Sequence, residues 1–272
     1  MTRISYAPAR AKRAEQFDRL FDGTDLLIVD FDGVVGPTEL VQQIAFQQLL
    51  EEKTGRSHDL LEVQQDATGR TMMDIMEGYI EAHGLDESPE ALLERQCALY
   101  LEIIKDNGIG PNEGVVALLN AAKARGVRAV ILSNGNDDAV DVLLGKWGLG
   151  DLFDGIYASR NEDRRLFAEA RGIKVGDKAH LIEAFLGEKG IDFSRAAIVE
   201  DNEKTLDKIQ GVVKGIQTIF VRQEFNKDAG YEPTTGVTID GFAGGLFALY
   251  RQSRMAAFFA RRDASLALAG PR

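Results

Sequence analysis

Short apolar segments recur along the chain and predict buried strands. Four runs are apolar almost throughout, and they occupy residues 26–32, 128–133, 195–201 and 216–221. A strand with one face in water alternates apolar and polar residues, whereas a strand covered on both faces reads as a continuous apolar run. The pattern therefore indicates a sheet that is packed on both of its faces.

Helical patterns separate these runs. Residues 112–126 have apolar positions on one helical face, begin at Asn112, which can cap a helix, and end at Gly126. The segments 136–148 and 177–190 have the same character. Strands that alternate with helices of this length predict an α/β fold, with a Rossmann-like parallel sheet at its core and helices on both faces.

Residues 37–109 interrupt this alternation. Helical patterns cover residues 38–55, 70–84 and 88–108 with no strand between them, and Ser88 is placed to cap the last of these helices. We therefore predict an all-helical domain at 37–109, inserted into an α/β domain made of residues 1–36 and 110–272. Residues 1–20 and 254–272 look like additions to this core, and we find no chemistry in them.

Composition and charge narrow the class of protein. The 272 residues are 44% hydrophobic and 28% charged, as in an ordinary globular protein. The formal charge of −11 argues against nucleic acid or an anionic membrane as a partner. Cys97 is the single cysteine, so an internal disulfide and a thiolate zinc cluster are excluded, and its apolar neighbours predict a buried helical thiol. Because there is no long apolar stretch and no signal sequence, we expect a cytoplasmic protein without a membrane span.

Polar residues stand where the predicted strands end. Ligands of parallel α/β proteins bind at the carboxyl ends of the strands, and carboxylate oxygens are the ligands that Mg²⁺ prefers. A cation and a lysine beside a small polar pocket suit a phosphoryl group, which an aspartate can also accept covalently. The candidate residues are Asp30, Asp32, Ser133, Asn134, Lys178 and Asp201.

Four short motifs give the chain a family resemblance. In order, they are DFDGVV, LSN, DKAHLIEAF and VEDN, and they span roughly residues 25–221. Together they resemble the signature of the haloacid dehalogenase-like superfamily, in particular its branch with a helical cap, which includes phosphatases and β-phosphoglucomutase. One Asp-x-Asp pair would be weak support, but four ordered motifs at strand ends are specific.

The resemblance implies a role for each residue of the α/β domain. Asp30 would be the nucleophile and a Mg²⁺ ligand, and Asp32 the general acid and base, with its backbone carbonyl on the metal. Ser133 and Asn134 would bind the oxygens of the transferring phosphoryl group. Lys178 would neutralise charge on the nucleophile and the phosphate.

The resemblance also assigns the remaining metal ligands and the inserted domain. Asp201 would bind Mg²⁺, and Glu200 would do so either directly or through water. Residues 37–109 would be the cap. Within it, the segment TGRTMMDIM resembles the substrate loop of such caps, which makes Arg70 a candidate contact to the substrate.

The chain also departs from the family pattern. Pro37 stands where an aspartate is common, and the usual Lys-Pro-x-Pro of the third motif is absent, which leaves Lys174 as an alternative to Lys178. The connection 158–176 is longer than is usual at this point. These differences bear on the substrate more than on the reaction.

The second aspartate of the first motif distinguishes the reactions of the family. The dehalogenase branch lacks it, and phosphonatase-like enzymes usually replace it, so Asp32 favours phosphate ester chemistry. The resemblance implies a Mg²⁺-dependent phosphatase that hydrolyses a small phosphorylated metabolite through an aspartyl-phosphate. A phosphomutase resembling β-phosphoglucomutase is the alternative, and a non-catalytic phosphate-binding module is a third. The native substrate and whether the chain forms a homo-oligomer stay open.

Overall fold

The computed structural model describes residues 20–222 and the strand 236–240, with gaps in the first range at 37, 68–69, 107, 136 and 160. The predicted terminal additions, 1–20 and 254–272, lie outside the described residues except for Leu20. The described chain forms two compact units. One contains the residues up to Val35 and those from Asn112 onward, and the other is Gly36–Pro111.

A parallel sheet forms the centre of the first unit. Its six described strands are β1 (Leu26–Val29), β2 (Arg128–Leu132), β3 (Gly155–Tyr157), β4 (Ala196–Glu200), β5 (Gln217–Arg222) and β6 (Gly236–Asp240). They lie in the order β3-β2-β1-β4-β5-β6, and every neighbouring pair is parallel. The predicted Rossmann-like α/β fold is therefore confirmed.

Helices connect the strands and make up the second unit. The described α-helices are α1 (Glu39–Thr54), α2 (Leu60–Ala67), α3 (Met72–His83), α4 (Pro89–Asp106), α5 (Glu113–Ala124), α6 (Asp137–Trp147), α7 (Glu162–Glu169), α8 (Lys178–Lys189) and α9 (Glu203–Val212). None of the helices in the described part of the chain is long and apolar enough to cross a membrane.

Helices α8 and α9 pack against one face of the sheet, and the other face is buried as well. Ile182 of α8 and Ile209 of α9 belong to one buried apolar cluster with Ile28 of β1. Because side chains alternate across a strand, the buried Leu27 and Val29 point to the opposite face. Continuous apolar strands are needed for this arrangement, since both faces of β1 are out of water.

The described part of the second unit is built from the four helices α1 to α4 and the turns between them. Helix α1 packs against α4, and α4 packs against α3. Phe46 and Tyr79 meet edge to face in its core, with ring centroids 6.1 Å apart. Ser88 caps α4 as predicted, because its hydroxyl accepts a hydrogen bond from the backbone of Ala91 at 3.2 Å. The predicted buried thiol is wrong, because Cys97 lies at the edge of the apolar stripe of α4 and is partly exposed.

The chain leaves and re-enters the first unit at adjacent residues. The backbone N–H of Asn112 donates to the carbonyl of Val35 at 2.8 Å. Asn112 also begins helix α5, since its side chain accepts from the backbone N–H of Gly114 at 3.1 Å. The two points where the chain crosses between the units are therefore fixed side by side.

Candidate active site

Three of the predicted residues meet at one edge of the sheet. Asp30 follows β1, Ser133 follows β2, and Asp201 follows β4. Val29 pairs with Ile131 and with Val199, so these strands end close to the same level. The parallel sheet thus presents a hydroxyl and two carboxylates at its carboxyl edge.

A buried lysine joins two of the carboxylates. The Nζ atom of Lys178 lies 2.8 Å from Asp30 Oδ2 and 2.9 Å from Glu200 Oε2. The exposed fractions are 8% for Lys178, 7% for Asp30 and 2% for Glu200. A charge so far from water must be paired, and here one ammonium group contacts two carboxylates.

The start of helix α8 places this lysine. Asp177 is the N-cap residue, and its side chain accepts from the backbone N–H of His180. The helix therefore begins at Lys178, with that side chain directed into the unit. Lys174, the alternative left by the sequence, is exposed to solvent.

The electrostatics of this cluster follow from burial and charge. Burial opposes the charged form of Lys178, but the carboxylates of Asp30 and Glu200 outweigh it and raise the pKa of the lysine. Burial, together with the charge of Asp30, raises the pKa of Glu200 to about 7, while Lys178 acts in the opposite direction. The ammonium group thus remains charged, and it favours the carboxylate form of Glu200.

Three carboxylates of the cluster fit a divalent cation. Oxygen atoms of Asp30, Glu200 and Asp201 lie within 4.8 Å of one another. Asp30 Oδ1 is buried and has no hydrogen-bond partner among the described residues. A buried anionic oxygen without a partner is costly, and a hard cation with oxygen ligands would satisfy it. The donor set suits Mg²⁺ and other hard divalent cations.

Two glycines make room for the carboxylates, and the sequence interpretation assigned them no role. Gly33 has φ of +76°, and a Cβ atom there would overlap the carboxylate of Asp201. A Cβ atom on Gly135 would overlap the carboxylate of Asp32. The available signal was a glycine directly after Asp32 in the first motif and directly after Asn134 in the second, because a glycine lets other groups approach the backbone closely.

Asp32 lies beside the turn that follows β2. The hydroxyl of Ser133 donates to Asp32 Oδ2 at 3.5 Å and accepts from the backbone N–H of Gly135 at 3.0 Å. Asp32 is less buried than Asp30. The serine and the second aspartate of the predicted set are therefore in contact.

Asn134 is exposed, and its side chain contacts other segments of the first unit. Its Oδ1 accepts from Arg164 at 2.7 Å, and its Nδ2 donates to the carbonyl of Gly176 at 3.4 Å. Arg164 is buried and belongs to helix α7. The sequence interpretation missed this arginine, because nothing in its neighbourhood resembles a motif.

Arg70, the predicted substrate contact, belongs to the helical unit. Its side chain is exposed, and its guanidinium group donates to the backbone carbonyls of Asp66 and Asp74. It lies just before α3, where Thr71 forms a reciprocal cap with Asp74. The other predicted site residues are all in the α/β unit.

Comparison with solved structures places the fold. A CbbY variant from Rhodobacter sphaeroides, solved in complex with xylulose-(1,5)bisphosphate, is 16% identical with a TM-score of 0.62, covering 79% of this chain and 93% of that one. For β-phosphoglucomutase from Clostridium difficile the identity is 17%, the TM-score is 0.58, and the coverage is 87% and 99%. A predicted phosphoglycolate phosphatase from Haemophilus somnus is 12% identical with a TM-score of 0.56, and the match covers 79% of this chain and 94% of that one. At such identities the likeness shows the fold alone.

Comparison of sequences identifies the family. No curated protein matches the chain significantly. The sequence profile of the haloacid dehalogenase-like hydrolases matches residues 24–207, which is more than half of the chain and includes Asp30, Glu200 and Asp201. The protein is therefore a hydrolase of the haloacid dehalogenase-like family.

Proposed function

We propose that this hydrolase is a Mg²⁺-dependent phosphatase, which hydrolyses a small phosphomonoester through an aspartyl-phosphate on Asp30. The observation that carries the proposal is the contact of Lys178 with Asp30 beside Asp201 at the strand ends. An aspartate held by a lysine and bordered by cation ligands is suited to attack an anionic phosphorus centre.

In the first step, Asp30 attacks the phosphorus of the ester. A bond forms between a carboxylate oxygen and phosphorus while the bond from phosphorus to the ester oxygen breaks. Asp32 gives its proton to the departing alkoxide, a general-acid contribution typically worth about 10²–10⁴-fold. Lys178 balances the negative charge that collects around Asp30, and the Ser133 hydroxyl holds a phosphoryl oxygen.

In the second step, water releases the phosphate. Asp32, now a carboxylate, takes a proton from the water molecule while the oxygen of that water bonds to phosphorus. The bond from phosphorus to Asp30 breaks, which yields inorganic phosphate and restores both aspartates to their starting forms. The same residue thus serves first as acid and then as base.

The cation of the proposal would be held by Asp30, Asp201 and the backbone carbonyl of Asp32. When bound, it supplies positive charge that offsets the repulsion between these carboxylates and the phosphate. Glu200 is the third carboxylate that could bind this cation, either directly or through water. One of its oxygens contacts Lys178, and the other accepts from the backbone N–H of Asn202 at 3.3 Å, so we also assign it to orienting the lysine.

We assign the helical unit to the cap of this enzyme, with 37–109 as the predicted boundaries and Arg70 as a contact to the substrate. Glycines at 36, 108 and 110 stand at the two crossings, where a hinge needs conformational freedom.

Arg70→Ala should lower kcat/KM for the native substrate far more than for a small aryl phosphate. Arg56→Ala is the control, since Arg56 is also exposed in the helical unit. Equal losses on both substrates would remove Arg70 from the recognition of the substrate.

Activity assays with and without metal test the proposed reaction. The purified protein is incubated with an aryl phosphate and a panel of phosphorylated metabolites, and inorganic phosphate is measured. We expect release with Mg²⁺, loss with a chelator, and recovery when Mg²⁺ is added back. Activity that a chelator leaves unchanged would contradict the metal assignment. An isomeric phosphate formed without release would identify a mutase, and phosphate binding without turnover a binding module. A cytoplasmic location remains a prediction, and whether the chain forms a homo-oligomer stays open.

A further inference from the structure

Helix α7 lies within the long connection 158–176, which the motifs do not explain. Its capping residue Asn161 accepts from the backbone N–H of Arg164 at 3.0 Å, which places this arginine in the first turn. Arg164 is 3% exposed, whereas the next residue, Arg165, is exposed to solvent. An arginine is seldom buried unless its guanidinium group is bonded in place.

The guanidinium group of Arg164 contacts three separate segments of the α/β unit. One terminal nitrogen donates to the carbonyl of Ser133, after β2, and to the carbonyl of Tyr157, at the end of β3, the latter at 3.0 Å. The other donates to Asn134 Oδ1 at 2.7 Å and to the carbonyl of Val175. One planar group thus joins the ends of two strands to the segment that precedes α8.

We propose that Arg164 is a positioning residue for the phosphoryl site. It holds the turn Ser133–Asn134 and links this turn to the segment that leads into Lys178. The inference rests on the proposed function, in which the Ser133 hydroxyl and the Lys178 ammonium face the same phosphoryl group. A buried guanidinium group, whose planar donors have a fixed geometry, is suited to hold the Ser133 hydroxyl and the Lys178 ammonium at a constant relative position.

The path from Arg164 to Lys178 is short and continuous. Val175 accepts from the guanidinium group, and Gly176 accepts from Asn134 Nδ2, which is itself held by Arg164. Asp177 follows directly and caps α8 at Lys178. A shift of the guanidinium group would therefore move both sides of the site.

A second residue of the same connection supports the turn. Ser159 donates to the carbonyl of Gly135 twice, from its hydroxyl at 2.8 Å and from its backbone N–H at 3.2 Å. Gly135 is the residue whose backbone lies against Asp32. The connection 158–176 therefore holds the whole turn 133–135, with Arg164 at one end and Ser159 at the other.

Three variants test the inference in the full-length protein with Mg²⁺. Arg164→Met removes the guanidinium group and keeps an unbranched side chain, Arg164→Lys keeps the charge, and Arg165→Met is the matched control on the same helix. We expect kcat/KM for an aryl phosphate to fall about 100-fold in Arg164→Met, the loss that a misplacement of about 1 Å can cause. Arg164→Lys should recover little of it, because an ammonium group cannot span four acceptors.

The inhibition constant of orthovanadate separates positioning from a loss of folded protein. Orthovanadate imitates the five-coordinate phosphorus of the transition state, so it reports on the geometry of the site. A smaller folded fraction would lower the apparent kcat and leave this inhibition constant unchanged. We expect the inhibition constant to rise at least tenfold in Arg164→Met and to stay unchanged in Arg165→Met. An unchanged constant in an active Arg164→Met protein would overturn the inference.

Amide hydrogen exchange tests the same inference without any assay of turnover. In Arg164→Met we expect faster exchange in peptides that cover 133–135 and 175–178, while peptides of β5 keep their protection. Unchanged exchange in both segments would overturn the positioning role. If wild type and Arg165→Met release no phosphate from any substrate, the proposed function is overturned, and the exchange result still decides whether Arg164 holds the two segments.

Discussion

Lys178 Nζ lies 2.8 Å from Asp30 Oδ2, and both side chains are more than nine-tenths buried. This pair connects the stability of the α/β unit to its chemistry. The lysine gives the nucleophile of the proposed reaction a permanent positive neighbour, and the aspartate gives a buried ammonium group its partner. Removing either member leaves the other charge in a poorly solvated place.

Lys178→Met should destabilise the protein by about 3–5 kcal/mol, because it leaves Asp30 and Glu200 facing each other without a cation between them. Urea unfolding without divalent metal measures this loss. Lys174→Met is the control, and its effect should stay within about 0.5 kcal/mol, since Lys174 is exposed. Similar losses in the two variants would contradict the assignment of Lys178 to the buried cluster.

Asp30→Asn should abolish phosphate release while the protein stays folded. An amide oxygen is too weak a nucleophile to attack phosphorus, whereas the volume of the side chain is unchanged. Turnover is followed by phosphate release, and the fold by circular dichroism and thermal melting. Residual activity above about one per cent of wild type would exclude Asp30 as the sole nucleophile.

Asp32→Asn should give losses that depend on the leaving group. An alkyl phosphate departs as a basic alkoxide and needs the proton of Asp32, whereas an aryl phosphate departs without one. We expect a severe loss of kcat/KM on alkyl or sugar phosphates and a milder one on aryl phosphates. If both classes of ester lost equally, Asp32 would not be the acid.

Gly135→Ala should lower activity because the new methyl group would displace the carboxylate of Asp32. A displacement of this kind can cost about 100-fold in kcat/KM. Gly145→Ala in helix α6 is the matched control, since a Cβ atom there meets no other atom within 4 Å. That control should keep its activity and gain about 0.5–1 kcal/mol in the free energy of unfolding. Full activity in Gly135→Ala would show that Asp32 tolerates the shift.

The stability of the helical unit should fall when the solution is acidified, because of His58. Burial lowers the pKa of His58 below 6.5, His83 and Arg56 lower it further, and Glu51 and Glu62 oppose this. Since the unfolded chain then binds a proton more readily than the folded one, stability is present above pH 6.5 and is lost as the pH falls below it. His58→Gln should reduce the difference between urea midpoints at about pH 7.5 and about pH 5.5. The same pH dependence in the variant would exclude His58 as its source.

The strands that could be predicted from the sequence are those covered on both faces. β1, β2, β4 and β5 read as continuous apolar runs because consecutive side chains, which point to opposite faces of the sheet, are buried. β3 was missed, since Gly155–Tyr157 is only three residues long and half-buried. Its short run carries too little apolar surface to stand out from a loop.

Helix α7 shows why a hydrophobic pattern can fail. Its residues EDRRLFAE are mostly polar, yet Arg164 is one of its buried side chains. Burial of Arg164 depends on hydrogen bonds to Ser133 and Val175, both of which lie outside the helix. The strand-end motifs could be predicted as one site because a parallel sheet brings the carboxyl ends of its strands to one edge. Arg164, which supports one of these motifs, could not be predicted because its contacts are not encoded in any local sequence pattern.

The hydrogen bond between Asn112 and Val35 joins the two ends of the inserted segment, so this segment could be replaced by another. From the side of the α/β unit, the segment Gly36–Pro111 is a single loop whose two ends are held together by this hydrogen bond. The entropy of closing a loop grows only with the logarithm of its length, so doubling the insertion costs about 0.6 kcal/mol. Segments of very different size can therefore be accepted at this point without rebuilding the sheet edge. Under the proposed assignment of the helical unit as the cap, the substrate range would change by replacement of this segment, with the residues that do the chemistry left as they are.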